Sequence, residues 1–137
     1  MVFGMDTDSI SPEENNLLRL IYVIKKPCTE CLRHVLKINI PSCYTDVKHA
    51  VSSERIKLQR ILTKNQYSRI FPQNQLCPNF DVHICDMTLL YTLIRNVSSV
   101  NPPTTGWDNP VTNQPRDASI GANVERLRVL RNDIIHE

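Results

Sequence analysis

"FDVHICDMTLLYTLIRNV", residues 80–97, decides the class of this chain. From Met87 onward, Leu89, Leu90, Tyr91, Leu93 and Ile94 fall on nearly every side of a helix that turns by about 100° per residue. A helix that is apolar all round belongs in the middle of a bundle, with other helices laid against it. The polar pair that follows, Arg95-Asn96, reads as the structural end of that helix.

Composition points the same way. Only 6% of residues are aromatic and three are Gly, which argues against sandwiches and barrels, since these need many turns and strand-filling aromatics. With 41% hydrophobic residues in 137, the chain has enough apolar material for one buried core. A net charge of +2 does not by itself demand a polyanionic partner. The opening "MVFGMDTDSISPEENN" has no cationic start and no long apolar run, and "LIYVI" at 20–24 is far short of a membrane span. The expectation is a cytoplasmic chain with no membrane segment. Five cysteines without a secretory signal read as reduced thiols. Cys28 and Cys31, followed by His34, have a metal-like spacing. Cys43, Cys77 and Cys85 stand singly, however, so no metal and no cofactor is expected, and the cysteines read as small apolar helix residues.

Upstream, residues 1–14 read as a polar N-terminal segment and 15–137 as the helical domain. "SPEE" at 11–14 is a helix start, with Ser11 as cap and Pro12 in the first turn. Leu17, Leu18, Ile21, Tyr22 and Ile24 keep a helical period as far as Lys25-Lys26-Pro27. There the proline is expected to break the helix or open the next, making "CTECLRHVLKI" a short second piece. From Thr45 to Phe71 the pattern is one helical period or two short helices, with Val47, Val51, Leu58, Ile61 and Leu62 on the apolar side. Lys57, Arg60 and Lys64 fall on another face, which suits either a nucleic-acid backbone or plain solvation.

Downstream, "NPPTTGWDNPVTNQP" at 101–115 holds four of the nine prolines and reads as a long ordered loop pinned to the bundle by Trp107. The last segment returns to a helical period. Ser119 or Asp117 is its cap, and Val124, Leu127, Leu130 and Ile134 form its inner stripe.

That helix closes on "RNDIIHE", residues 131–137. Metal-free RNA cleavage needs a base for the 2′-hydroxyl proton, an acid for the leaving oxygen and a cation for the phosphorane. Histidine suits the first two and a guanidinium the third. Arg131 and His136 lie about 140° apart around a helix, whereas Asn132 and His136 share a face. Catalysis by these residues is therefore easiest at a site shared by two subunits. The structural alternative pairs Arg131 with Glu125 or Asp133 and leaves His136 to offset the helix dipole.

Taken in order, "FDVHICDMTLLYTLIRNV", "NPPTTGW" and "DASIGANVERLRVLRNDIIHE", together with "LQRILTKNQYSRIFP", resemble a HEPN domain (higher eukaryotes and prokaryotes nucleotide-binding). The type is that of the DAZ-interacting zinc-finger ubiquitin ligase and its invertebrate relatives, and the resemblance covers roughly residues 28–137. It implies an all-α HEPN-like helical bundle whose last helix lies beyond Glu137. The catalytic set it implies is Arg131, Asn132 and His136. HEPN domains include dimeric, metal-independent endoribonucleases and also non-catalytic members used in RNA binding or assembly. The expected partners are therefore RNA, a second copy docked through the last helix, and proteins of a larger signalling, defence or ubiquitin-ligase assembly. Lys57, Arg60, Lys64 and Arg128 are the candidate RNA contacts. Where this family type has Gly before the histidine, this chain has Ile135, which crowds the approach of a phosphate.

Overall fold

A computed structural model describes residues 11–104, 106–108 and 119–135. It contains α1 (Pro12–Ile38), α2 (Val47–Ser53), α3 (Arg55–Ile61), α4 (Lys64–Ile70), α5 (Met87–Val97) and α6 (Ile120–Ile135). Two 3-10 turns, Pro72–Asn74 and Val82–Ile84, precede α5, and no strand occurs among the described residues. The chain is all-α.

The helix starts are written in short polar side chains. The hydroxyl of Ser11 accepts from the Glu14 N–H at 3.1 Å, and Asp46 and Asp86 accept from the N–H groups of His49 and Leu89 at 2.7 and 2.9 Å. Thr63 and Gln66 form a reciprocal capping box on α4, and Ser119 caps α6 through the Ala122 N–H at 3.2 Å. Each such bond satisfies a backbone donor that the helix itself cannot, worth about 1 kcal/mol.

The predicted central helix is α5, on which Leu89, Leu90, Leu93 and Ile94 are fully buried. Helices α1, α2 and, through α1, α6 pack around it, contributing Leu32 and Leu36, Ala50 and Val51, and Ala122 and Val124 to the buried set. Leu58 and Ile70 of α3 and α4, with Leu62 and Phe71 just past the ends of those helices, close the core.

Three expectations need correction. Pro27 neither breaks α1 nor starts a new helix, because Pro12–Ile38 is continuous through it. A proline in a helix interior costs about 3 kcal/mol, but Leu32 and Leu36 are buried downstream, each worth about 1.5–3 kcal/mol. Residues 47–70 form three short helices rather than one or two. In α6, Leu130 does not belong to the inner stripe: it is 43% exposed, while Glu125, read from sequence as a possible partner of Arg131, is fully buried. Ile134 and Asp133 have side chains outside the described set, Asp117 lies outside the described residues, and so does most of the Pro-rich loop.

Candidate functional site

Between α5, the C-terminal half of α6 and the Trp107-Asp108 turn lies a cavity of about 500 Å³. Its apolar wall is Leu32, Ile61 and Met87, and its polar wall includes Arg95, Asn96, Asp108, Arg128, Arg131 and Asn132. Among the described residues it joins "RN" from the end of the central helix to "RN" from the end of the last.

A hydrogen-bonded chain of charges holds the polar wall. Arg128 donates from Nε and Nη2 to Glu125 Oε2 at 3.0 and 2.8 Å. The other oxygen of Glu125 accepts from the Tyr91 hydroxyl and from the Asp108 N–H, the latter at 3.0 Å. The Tyr91 hydroxyl is also 3.1 Å from Asp108 Oδ1, and Asp108 in turn is ion-paired with Arg95. Burial, with the hydrogen bond to Glu125, pushes the Tyr91 phenol well above its ordinary range. The hydrogen bond from Arg95 holds the Asp108 carboxyl below its own. Arg128 further lies 5.6 Å over the Tyr91 ring, and Trp107 meets that ring edge-on at 5.9 Å. Trp107 therefore pins its turn to the bundle as expected. Asp108 sits at φ 66, a left-handed conformation that Asp tolerates better than most residues.

Among the described residues of the site, charge pairing leaves one cation over. Arg95 is matched by Asp108 and Arg128 by Glu125, whereas Arg131 has no carboxylate partner among the described residues. Its Nη1 donates to the adjacent Asn132 Oδ1 at 3.0 Å, and its Nε is buried without a hydrogen-bond partner. A buried donor left unpaired costs about 1–3 kcal/mol. Glu125 is thus taken by Arg128 and is not the partner of Arg131 that one sequence reading allowed.

The other candidate residues are dispersed. Lys57 donates from Nζ to the Asn96 carbonyl at 2.9 Å and so serves the C-terminus of α5. Arg60 follows Lys57 by three residues on α3 and is exposed, as is Lys64, but Lys64 does not share their helix face, because α3 ends at Ile61 and Leu62 is extended before α4 begins. Arg128 does line the cavity. His136 lies outside the described residues. Arg95, Asn96, Tyr91 and Asp108 were missed as site residues. The recurrence of "RN" at 95 and 131 was the available signal, set aside because no histidine follows the first copy at the right distance. No three His, Cys, Asp or Glu side chains converge to hold a metal among the described residues, and no described helix is long and apolar enough to cross a membrane.

Fold and cavity define a helical domain with an arginine-lined site between its central and last helices. The chain belongs to the DZIP3/hRUL138-like HEPN family, whose sequence pattern matches residues 37–137. That span holds every cavity residue named above except Leu32. No curated protein and no solved structure gives a match.

Proposed function

We propose that this chain is an RNA-engaging HEPN domain in which Arg131 holds a phosphodiester and His136 exchanges protons with the attacking and leaving oxygens. The observation that carries the reading is Arg131 itself: a guanidinium without a carboxylate partner among the described residues, with a buried unpaired Nε, lining a cavity large enough for a ligand. Asn132 holds that guanidinium through Nη1, which leaves Nη2 to meet a phosphate oxygen. His136 follows four residues after Asn132, as the base and acid of a metal-free transesterification. Cleavage of a structured and an unstructured RNA with chelator present tests this, using the wild type and His136→Ala after both are shown to be helical. Loss of chelator-resistant cleavage in the variant supports an endoribonuclease. Equal behaviour of the two proteins counts against catalysis.

A second reading, a non-catalytic module that pairs with another copy through its last helix, draws support from Leu130. This side chain is 43% exposed on α6, next to Arg131, and apolar surface on a helix favours burial against a partner. The two readings meet if the pairing brings two Arg131 cavities to one seam. Sedimentation of wild type and Leu130→Glu tests the pairing, since a dimer through α6 becomes a monomer in the variant.

A further inference from the structure

The cavity's two unlike walls bear on what form of RNA would fill it. Leu32 and Met87 are almost wholly buried and Ile61 is 45% exposed, so the apolar wall has a fixed floor and an open lip. Arg131 stands on the opposite, polar wall. From the juxtaposition of that apolar wall with a single unmatched guanidinium, we infer that the cavity takes one unstacked nucleotide of a single RNA strand. Its base lies against Leu32, Met87 and Ile61, and its adjoining phosphodiester lies on Arg131. The inference rests on the RNA-engaging reading above and deepens it.

Charge and shape each exclude an alternative. Among the described residues, three guanidinium groups and two carboxylates meet at this site, with Arg95 and Arg128 already paired. One positive charge remains, which balances the single negative charge of an internal phosphodiester. A free nucleoside triphosphate carries several negative charges and would leave most of them uncompensated in a partly desolvated site. A duplex is excluded by shape, because its bases are stacked and paired and cannot reach an apolar floor. Single strands offer bases that can be splayed out and buried one at a time. The polar rim also has side chains able to read a base edge: Thr88, Thr92, Asn96 and Asn132 line the same cavity. Asn96 uses its amide nitrogen on the Thr92 carbonyl at 2.8 Å, which leaves its amide oxygen to accept from a base.

The test is binding of fluorescently labelled single-stranded RNA nonamers, one series intact and one with a single central abasic nucleotide, to the wild type, Ile61→Trp and Arg131→Gln. The series is repeated with unlabelled ATP as competitor. The expected result is that the wild type prefers the intact strand by about five-fold or more. Ile61→Trp, which fills the lip of the cavity, should lose that preference, and Arg131→Gln should weaken both strands alike. If intact and abasic strands bind the wild type equally while Arg131→Gln weakens both, the base pocket is wrong and the RNA reading stands. If Arg131→Gln changes nothing, both fall. Stronger binding of ATP than of the nonamers would overturn the charge argument. The intact-against-abasic comparison uses unaltered protein, so a variant that fails to fold does not spoil it.

Discussion

Glu125 and Arg128 form a two-pronged ion pair one helical turn apart, with Arg128 Nε and Nη2 both on Glu125 Oε2 at 3.0 and 2.8 Å. Glu125 is fully buried, and its second oxygen gathers the Tyr91 hydroxyl and the Asp108 N–H. One carboxylate therefore joins the last helix, the central helix and the Trp107-Asp108 turn. Removing it as Glu125→Ala leaves a guanidinium and a backbone amide unpaired together, and leaves the Tyr91 phenol with Asp108 alone. The expected loss is about 3–5 kcal/mol, measured by urea unfolding, and a loss under 1 kcal/mol would show that the network does not hold the site.

Asp108 gives the stability a pH dependence with a definite sign. The Arg95 hydrogen bond lowers its folded pKa below the ordinary Asp value of about 3.9. Its contribution is therefore fully present above that unfolded value and fades as pH falls through the lowered one. Thermal midpoints taken from about pH 6 down to pH 2 should fall less steeply for Asp108→Asn than for the wild type. Parallel curves for the two proteins would contradict the pairing.

Gly121 sets how closely α6 approaches the loop. A Cβ added there would run into the Asn101 carbonyl oxygen and stand 3.1 and 3.2 Å from Pro103 N and Pro102 C. These are backbone atoms, which cannot swing aside as a side-chain tip can. Gly121→Ala should therefore destabilise the fold by about 1–3 kcal/mol, although alanine is the better helix former by about 1 kcal/mol. Denaturant unfolding checks the sign: a gain in stability would mean that α6 has room to spare.

The thiols should sort by burial. Cys85 is 1% exposed, and burial, followed by the charge of Asp86, pushes its pKa up to about 12. Cys31 and Cys43 are exposed. Alkylation at neutral pH, followed by mass spectrometry, should label Cys31 and Cys43 within minutes and Cys85 only after unfolding, since the thiolate is the reactive form. Prompt labelling of Cys85 would contradict its packing beside α5.

The sequence pattern carries most of the fold because its signals are local or strongly periodic. The apolar run of α5, the Ser11 cap with Pro12 behind it, and Ser119 before α6 can be read without tertiary knowledge, and the structure has each of them, although α5 buries one face and leaves Thr88 and Arg95 exposed rather than being covered all round. What could not be read depends on contacts between distant residues. Pro27 is tolerated because Leu32 and Leu36 hold the rest of α1, which no window around the proline reveals. Glu125 looks like any surface carboxylate until Tyr91, 34 positions earlier, is found beside it. The site is half legible: Arg131 and Asn132 stand together in the cavity. Arg95 and Asn96 were assigned to a helix end, which is where they are, but that end opens into the same cavity.

The central claim is that Arg131 offers its guanidinium to a phosphodiester. Its most direct test is the affinity for a labelled single-stranded RNA, by fluorescence anisotropy at fixed salt, of the wild type and of Arg131→Gln, both checked for equal helicity. A charge-assisted hydrogen bond is worth about 1.5–3 kcal/mol, so the account predicts binding at least about ten-fold weaker in the variant. Equal affinity of the two proteins would contradict it.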